Sequence, residues 1–220
     1  MNDKLIDGLT QLGITSGQTG ALAQKMEVYI KELQLFNSAY NLVNTDSHDE
    51  LVIRHILDSL APWKLLTSLA EKSRKDITFG DIGSGGGLPG IPLAALFSQY
   101  EFVLVERMDK RCAFLENCAA ILGLQNVSVV KSEAERIKAG SFDITVFRAF
   151  RPLDQKMIKT LLSLTVEKGY LAAYKAKQTS IDEEMTGIKD IIKDYKVEKL
   201  VVPYLPDAER NLVIIRKQTI

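Results

Sequence analysis

Apolar residues recur at helical spacing through the first third of the chain. Leu5, Leu9 and Leu12 share one face, and Gly13 closes that helix. From Ser16 onward, Leu22, Met26, Tyr29, Ile30, Leu33 and Phe36 return every three to four residues and predict a second helix. The polar and aromatic run from Asn37 to Asn44 reads as a loop. A third helix is predicted on Leu51, Val52, His55, Ile56 and Leu60, with Ser47 or Asp49 as its cap. Pro62 and Trp63 open a fourth, which ends near Ser73. From residue 76 the texture changes, and short apolar runs alternate with helical stretches. Strands are predicted at 77–82, 101–106, 127–131, 142–147, 169–175, 197–202 and 211–217. Helices are predicted at 89–98, 108–122, 152–165 and 180–194. That alternation requires a mostly parallel sheet with right-handed crossovers. Only Pro203, Pro206, Asp207 and their neighbours separate the last two strands, so these predict an antiparallel hairpin. The expected organisation is a helical extension over 1–74, joined through a short linker at 72–75 to an α/β domain over 75–220, the whole packed as one unit.

One stretch organises the rest: Ile77 to Gly90, a buried strand, a glycine turn and a helix start at Pro89. Glycine takes positive φ without penalty and lets a ligand approach the backbone. A helix that begins at such a turn directs its free N–H groups into it. Together they make a nucleotide-type pocket at the edge of an open α/β sheet. Two registers compete. Gly85, Gly87 and Gly90 match the dinucleotide string, yet Gly83 holds the place that closes the strand, and from there the third glycine position is Leu88. The other register is Asp81-x-Gly83-x-Gly85-x-Gly87, an acid at the strand end followed by alternating glycines, as in the opening motif of Rossmann-like methyltransferases that use S-adenosylmethionine. Glu106 ends the next strand, where an acid can bond ribose hydroxyls, although nicotinamide enzymes share that feature. Ser132 to Glu135 follow the third strand, where an adenine edge is often read. The terminal hairpin favours the methyltransferase register over a dinucleotide domain. No Gly-Lys-Ser/Thr follows the glycines, which excludes a P-loop.

Composition adds bounds. The 220 residues suffice for one α/β domain with a real core, and 46% hydrophobic content marks a globular chain. No apolar run approaches the roughly 20 residues of a membrane span. The N-terminal residues lack the layout of a signal peptide. Cys112 and Cys118 fall on different sides of one helix, so no disulfide is expected, and two thiols alone make no zinc site. A cytoplasmic location fits that thiol usage. Lysine plus arginine and aspartate plus glutamate each number 28, so any nucleic-acid surface must be a local patch.

Asp81 to Leu93, with the run Gly-Leu-Pro-Gly-Ile-Pro, resembles the core motif of the bacterial RsmG (GidB) family of 16S rRNA guanine-N7 methyltransferases. The likeness extends to Tyr40–Asn44, to Arg54-His55-x-x-Asp58-Ser59-Leu60, to Lys110–Leu115 and to Phe147-Arg148-Ala149-Phe150, and covers roughly residues 35 to 175. One departure is Phe147, where the family usually carries a small residue. The resemblance implies a class I methyltransferase fold and S-adenosyl-L-methionine as cofactor. It also implies that Gly83, Leu88, Ala134, Glu135 and Arg148 contact that cofactor; strand geometry and the glycine-loop register place Glu106, Asp81 and Gly85 beside it. The implied substrate is 16S rRNA, naked or within the 30S subunit. A monomer is expected, and no membrane partner.

Guanine N7 carries a lone pair and no proton, so methylation there needs positioning and desolvation, not a general base. Accordingly no catalytic residue is assigned, and Arg148 is the nearest candidate; no metal is needed. The fourth strand lacks the Asp/Asn-Pro-Pro-aromatic run of amine methylation, and no cysteine follows the fourth or fifth strand for attack on cytosine. Asp81 either ties down loop amides or meets the methionine amine. Glu106 could be a plain solvated acid, and Arg148 a surface charge. Arg107, Lys110, Arg111, Arg151, Lys175 and Lys177 leave the same sheet edge and predict an RNA-binding rim. His55 reads as a core histidine, Asp58 and Ser59 as a brace, Trp63 as an anchor, and Asn41 and Asn44 as lid-loop residues. Tyr174 or Phe150 could stack a flipped base. Methylation of another substrate, a non-catalytic RNA-binding module and a nicotinamide enzyme remain as alternatives.

Overall fold

In the computed structural model, residues 3–73, 76–148 and 152–218 are described. Seven strands form one sheet in the order β3-β2-β1-β4-β5-β7-β6. They are β1 (Thr78–Ile82), β2 (Glu101–Glu106), β3 (Val127–Lys131), β4 (Phe142–Arg148), β5 (Thr165–Lys175), β6 (Lys196–Lys199) and β7 (Asn211–Arg216). The first five run parallel; β7 is antiparallel to β5, and β6 to β7. The terminal hairpin is therefore present, and it returns the chain to the sheet's carboxyl edge, where Lys175 pairs with Asn211. The chain order reverses between β1 and β4, and a crevice opens above that point.

Central strands are buried on both faces because helices cover both. Six of the seven β4 residues are buried, whereas β3, at the edge, has none that is fully buried. Under one face, Phe142, Phe147, Ile158 and Leu161 join Ile181 and Met185 in a core cluster. The other face carries Phe79 stacked on Phe102 at 4.8 Å between ring centroids. Its cluster runs on through Ile91, Leu104 and Leu115 to Met26, Tyr29, Ile30 and Leu33 of the N-terminal helices. Those helices and the sheet thus share one continuous core. Trp63 Nε1 donates to the Leu12 carbonyl at 2.9 Å, fixing the first helix, α1 (Asp3–Gln11), to α4 (Trp63–Glu71).

Several boundaries differ from the sequence expectation. The second helix, α2 (Ser16–Tyr40), runs into the segment expected to be loop. It stops at Asn41, which takes the left-handed conformation at φ 49°, while Asn37 Oδ1 accepts from the amides of Leu42 and Val43. The polar run is a helix terminus with its own hydrogen bonds. The third helix, α3, begins at His48 and is π-helical over Leu51–Leu57 before returning to α geometry at Asp58–Leu60. Ser47 holds the cap position without a side-chain cap bond. β5 begins four residues early because Phe142 pairs with Thr165 ahead of a register shift. The last helix, α8 (Gln178–Gly187), ends sooner than expected. The remaining helices are α5 (Gly90–Leu96), α6 (Asp109–Ile121) and α7 (Gln155–Leu164). Residues 74 and 75 of the expected linker lie outside the described residues. Among the described residues no helix is long and apolar enough to cross a membrane.

Candidate active site

The glycine loop leaves β1 at Ile82. Gly83, Gly85 and Gly87 have φ of 70°, 59° and 90°, a region that side-chain-bearing residues rarely occupy. The amides of Gly83 and Ser84 donate to the Val105 carbonyl at 2.9 and 3.1 Å, which ties the loop to β2. Tyr29 donates its hydroxyl to the Gly86 carbonyl, so α2 holds the loop from the other side. Gly90 starts α5 and donates to Asp81 Oδ2 at 3.0 Å. A Cβ on Gly90 would lie 2.6 Å from that oxygen and overlap Leu104, so only glycine fits between acid and helix.

Two acids stand at adjacent strand ends, and both are buried. Asp81 Oδ2 accepts from Ser84 Oγ at 2.7 Å as well as from Gly90, while its Oδ1 has no partner among the described residues. Burial pushes the Asp81 carboxyl up to about 6, against the opposing pull of the Ser84 and Gly90 hydrogen bonds. Glu106 is held differently. Its Oε2 accepts from Gly85 at 3.0 Å and its Oε1 from the amides of Arg107 and Met108 at 2.8 and 2.9 Å. It is therefore no plain solvated acid, and it fixes the loop opposite β2.

Two cavities meet at this loop and share Gly83 and Arg111. The first, about 710 Å³, is lined by Gly83, Glu106, Met108, Arg111, Ala134 and Glu135 among others. The second, about 580 Å³, is lined by Gly85, Leu88, His55, Arg148, Tyr174 and Asn211 among others. Of the eight expected cofactor residues, Gly83, Glu106, Ala134 and Glu135 thus border the first cavity, and Gly83, Gly85, Leu88 and Arg148 the second. Asp81 lies beneath the loop and borders neither.

Arg148 is no surface charge. Its Nη1 donates to Asp58 Oδ2 at 3.0 Å and to the Arg54 carbonyl at 3.2 Å, and its Nη2 lies 3.1 Å from His55 Nδ1. Asp58 Oδ1 accepts from Arg210 Nε at 3.1 Å. Asp58 therefore joins α3 to β4 and to the residue before β7, a role that sequence reading saw only as a brace. His55 is not a satisfied core histidine, since its Nε2 is buried without a partner among the described residues. Burial, then the charges of Arg148 and Arg54, push its pKa down to about 4, so the ring is neutral at physiological pH. Tyr174 is buried and donates its hydroxyl to the Ser59 carbonyl at 2.8 Å.

The basic rim is smaller than expected. Lys175 pairs with Glu184 at 2.6 Å, sits over the Phe147 ring and is 12% exposed, because α8 folds back over the strand end. Phe147 itself is buried. Arg107, Lys110 and Lys177 are exposed, whereas Arg111 is half-buried and donates to the Asn41 carbonyl at 2.9 Å. Arg151 and Phe150 lie outside the described residues. Asn44 borders the second cavity, whereas Asn41 does not and meets the site only by accepting from Arg111 at its carbonyl. Among the described residues, no group of three His, Cys, Asp or Glu side chains could hold a metal.

Sheet order, terminal hairpin and glycine crevice define the fold of the Rossmann-like class I methyltransferases. Solved structures share it: an S-adenosylmethionine-dependent O-methyltransferase from Thermotoga maritima superposes with TM-score 0.57 at 14% identity, covering 74% of this chain and 65% of that one. An rRNA methylase from Streptococcus thermophilus gives 0.53 at 15% identity, covering 72% and 97%. At the sequence level, residues 22–213 match GidB, the rRNA small subunit methyltransferase G family. Ribosomal RNA small subunit methyltransferase G of Treponema denticola is 40% identical over 241 aligned residues, spanning 98% of this chain and 94% of that protein. The chain belongs to this family.

Proposed function

We propose that this protein transfers a methyl group from S-adenosylmethionine to N7 of a guanine in small-subunit ribosomal RNA. Family membership supports the reaction class. For the cofactor, one feature weighs most: the buried Asp81 Oδ1, an acceptor below the glycine loop with no partner among the described residues. A buried carboxylate oxygen left unpaired is costly, and an ammonium group brought to it relieves that cost. The amino group of a bound amino-acid moiety fits this donor requirement. The residues present therefore suit the cofactor, whose sulfonium supplies an electrophilic methyl group when bound.

Division of labour follows the two cavities. Glu106, Ala134 and Glu135, with Gly83, hold the nucleoside part; Gly85, Leu88 and Arg148 hold the amino-acid part, and Asp81, beneath the loop and outside both cavities, supplies the charge that draws its ammonium group. The second cavity also admits the target base. Guanine N7 offers its lone pair without a proton to remove, so these residues orient and exclude water and none acts as a base. Arg107, Lys110 and Lys177 meet RNA phosphates at the rim. We read the protein as a monomer acting on 16S rRNA in small-subunit particles in the cytoplasm; free buried thiols at Cys112 and Cys118 agree with that reducing compartment.

The test is transfer of tritiated methyl from S-adenosylmethionine to 16S rRNA, naked or in 30S particles, from cells lacking the protein. Label confined to 7-methylguanosine is expected. Label in another nucleoside, or cofactor binding without turnover on either substrate, contradicts the proposal.

A further inference from the structure

A second unused polar atom lies on the other side of the site. His55 borders the cavity assigned to the target base. Its Nδ1 faces Arg148 Nη2 at 3.1 Å. A guanidinium can only donate, so Nδ1 must accept, and the ring proton must sit on Nε2. That Nε2–H is buried and has no acceptor among the described residues. Two further contacts lock the arrangement. Asp58 holds Arg148 at 3.0 Å, and the Arg54 carbonyl receives the same guanidinium nitrogen. The ring also stands in the π-helical segment Leu51–Leu57, a geometry frequently found at functional positions. Buried donors without partners are rare in folded proteins and call for an explanation.

We propose that His55 Nε2–H donates a hydrogen bond to O6 of the target guanine and so selects guanine over adenine. This rests on the reading of the protein as a guanine-N7 methyltransferase. On the edge that carries N7, guanine presents two acceptors, N7 and O6. N7 must stay free to attack, which leaves O6 for the protein. Adenine presents an amino group at that place, and two donors would oppose each other. Because the ring stays uncharged, it places no further positive charge beside a base that becomes cationic as N7 is alkylated. The donor is buried and unpaired among the described residues, so a base that reaches it exchanges an unused donor for a bonded one. His55 is on this account a specificity-determining residue, oriented by Arg148 and Asp58.

The experiment uses 30S particles reconstituted with 16S rRNA carrying either guanine or 2-aminopurine at the target position. 2-Aminopurine keeps N7 and lacks O6. Wild-type protein is expected to methylate the 2-aminopurine particle with kcat/KM lower by about tenfold or more. His55→Ala should lose about tenfold on guanine and little on 2-aminopurine, so that discrimination collapses. His55→Gln, which keeps an N–H donor, should recover part of it. Binding of S-adenosylhomocysteine to both variants should stay within about twofold of wild type, a readout independent of turnover. Equal losses for His55→Ala on both particles overturn the proposal. If His55→Ala fails to fold, wild type alone decides, because equal rates on the two particles also overturn it. No methylation of the guanine particle would sink the underlying reading as well, which separates that failure from this one.

Discussion

The two sides of the crevice are built from different materials. On the β1–β2 side, the ligand-facing surface is backbone. Glycines at positive φ bend the loop, amides of Gly83 and Ser84 pin it to Val105, and Glu106 and Asp81 each receive backbone N–H groups. On the α3–β4 side, it is side chains. Asp58 holds Arg148 and Arg210, and Arg148 holds His55. Backbone makes a surface of fixed shape for a ligand that is always the same, the cofactor. Side chains spaced far apart in sequence make a surface that can be tuned to one base, with Arg148 shared between that surface and the cofactor's amino-acid end.

This contrast breaks most sharply at Asp58. Asp58→Ala leaves two partly buried guanidinium groups without a counter-charge, and we expect a loss of about 3 kcal/mol in urea unfolding. Asp58→Asn, which keeps a carbonyl acceptor, should lose less. A loss under about 1 kcal/mol for Asp58→Ala would show that the side-chain half needs no such clasp. Next comes the backbone half. Gly90→Ala pushes a methyl against Asp81 and Leu104, and should cost about 2 kcal/mol of stability and weaken cofactor binding.

Asp81→Asn separates stability from binding. The native carboxyl sits at about 6, above the 3.8 of an unperturbed aspartate. Between those values the folded state binds the extra proton, so stability falls as pH rises from about 4 to about 6. Above pH 6 the folded protein carries the full cost of the buried charge. Asp81→Asn should then raise the apo unfolding free energy by about 1 to 2 kcal/mol at pH 7, and match wild type below about pH 4. Cofactor affinity should drop about tenfold in the variant, and in wild type as pH falls below about 6. A variant that gains no apo stability would contradict the orphaned oxygen. The smallest effects are expected on the rim. Arg107→Glu with Lys110→Glu should weaken RNA binding several-fold and flatten its salt dependence by about two units of slope. Lys175→Glu tests the Glu184 pair instead, and should act mainly on stability.

The same division explains what could be read in advance. The seven strands, the hairpin and the loop from Asp81 to Gly90 are visible in the sequence because backbone chemistry leaves local marks: glycine where φ is positive, apolar runs where strands are buried. The segment holding Ala134 and Glu135 was legible by its place after the third strand, but the two residues were singled out only with the family likeness, since one alanine and one exposed acid carry no mark of their own. Arg148 was legible as a strand-end cation, but its partners were not. Asp58 lies 90 positions from Arg148 and 152 from Arg210, and no periodicity links residues so far apart. His55 looked like core because its helix was read at α spacing, whereas the segment is π-helical and His55 borders the second cavity. Lys175 was counted into the rim because α8, which brings Glu184 over it, could not be placed from sequence.

Amide hydrogen exchange on the protein alone, with S-adenosylhomocysteine, and with S-adenosylhomocysteine plus 30S particles tests the two-sided site most directly. The cofactor product alone should slow exchange at Gly83–Gly90 and around Ala134–Arg136 and leave His48–Leu60 unchanged, with protection of that helix arriving only with the particle. Protection of His48–Leu60 by the cofactor product alone, with Gly83–Gly90 unaffected, would contradict the account.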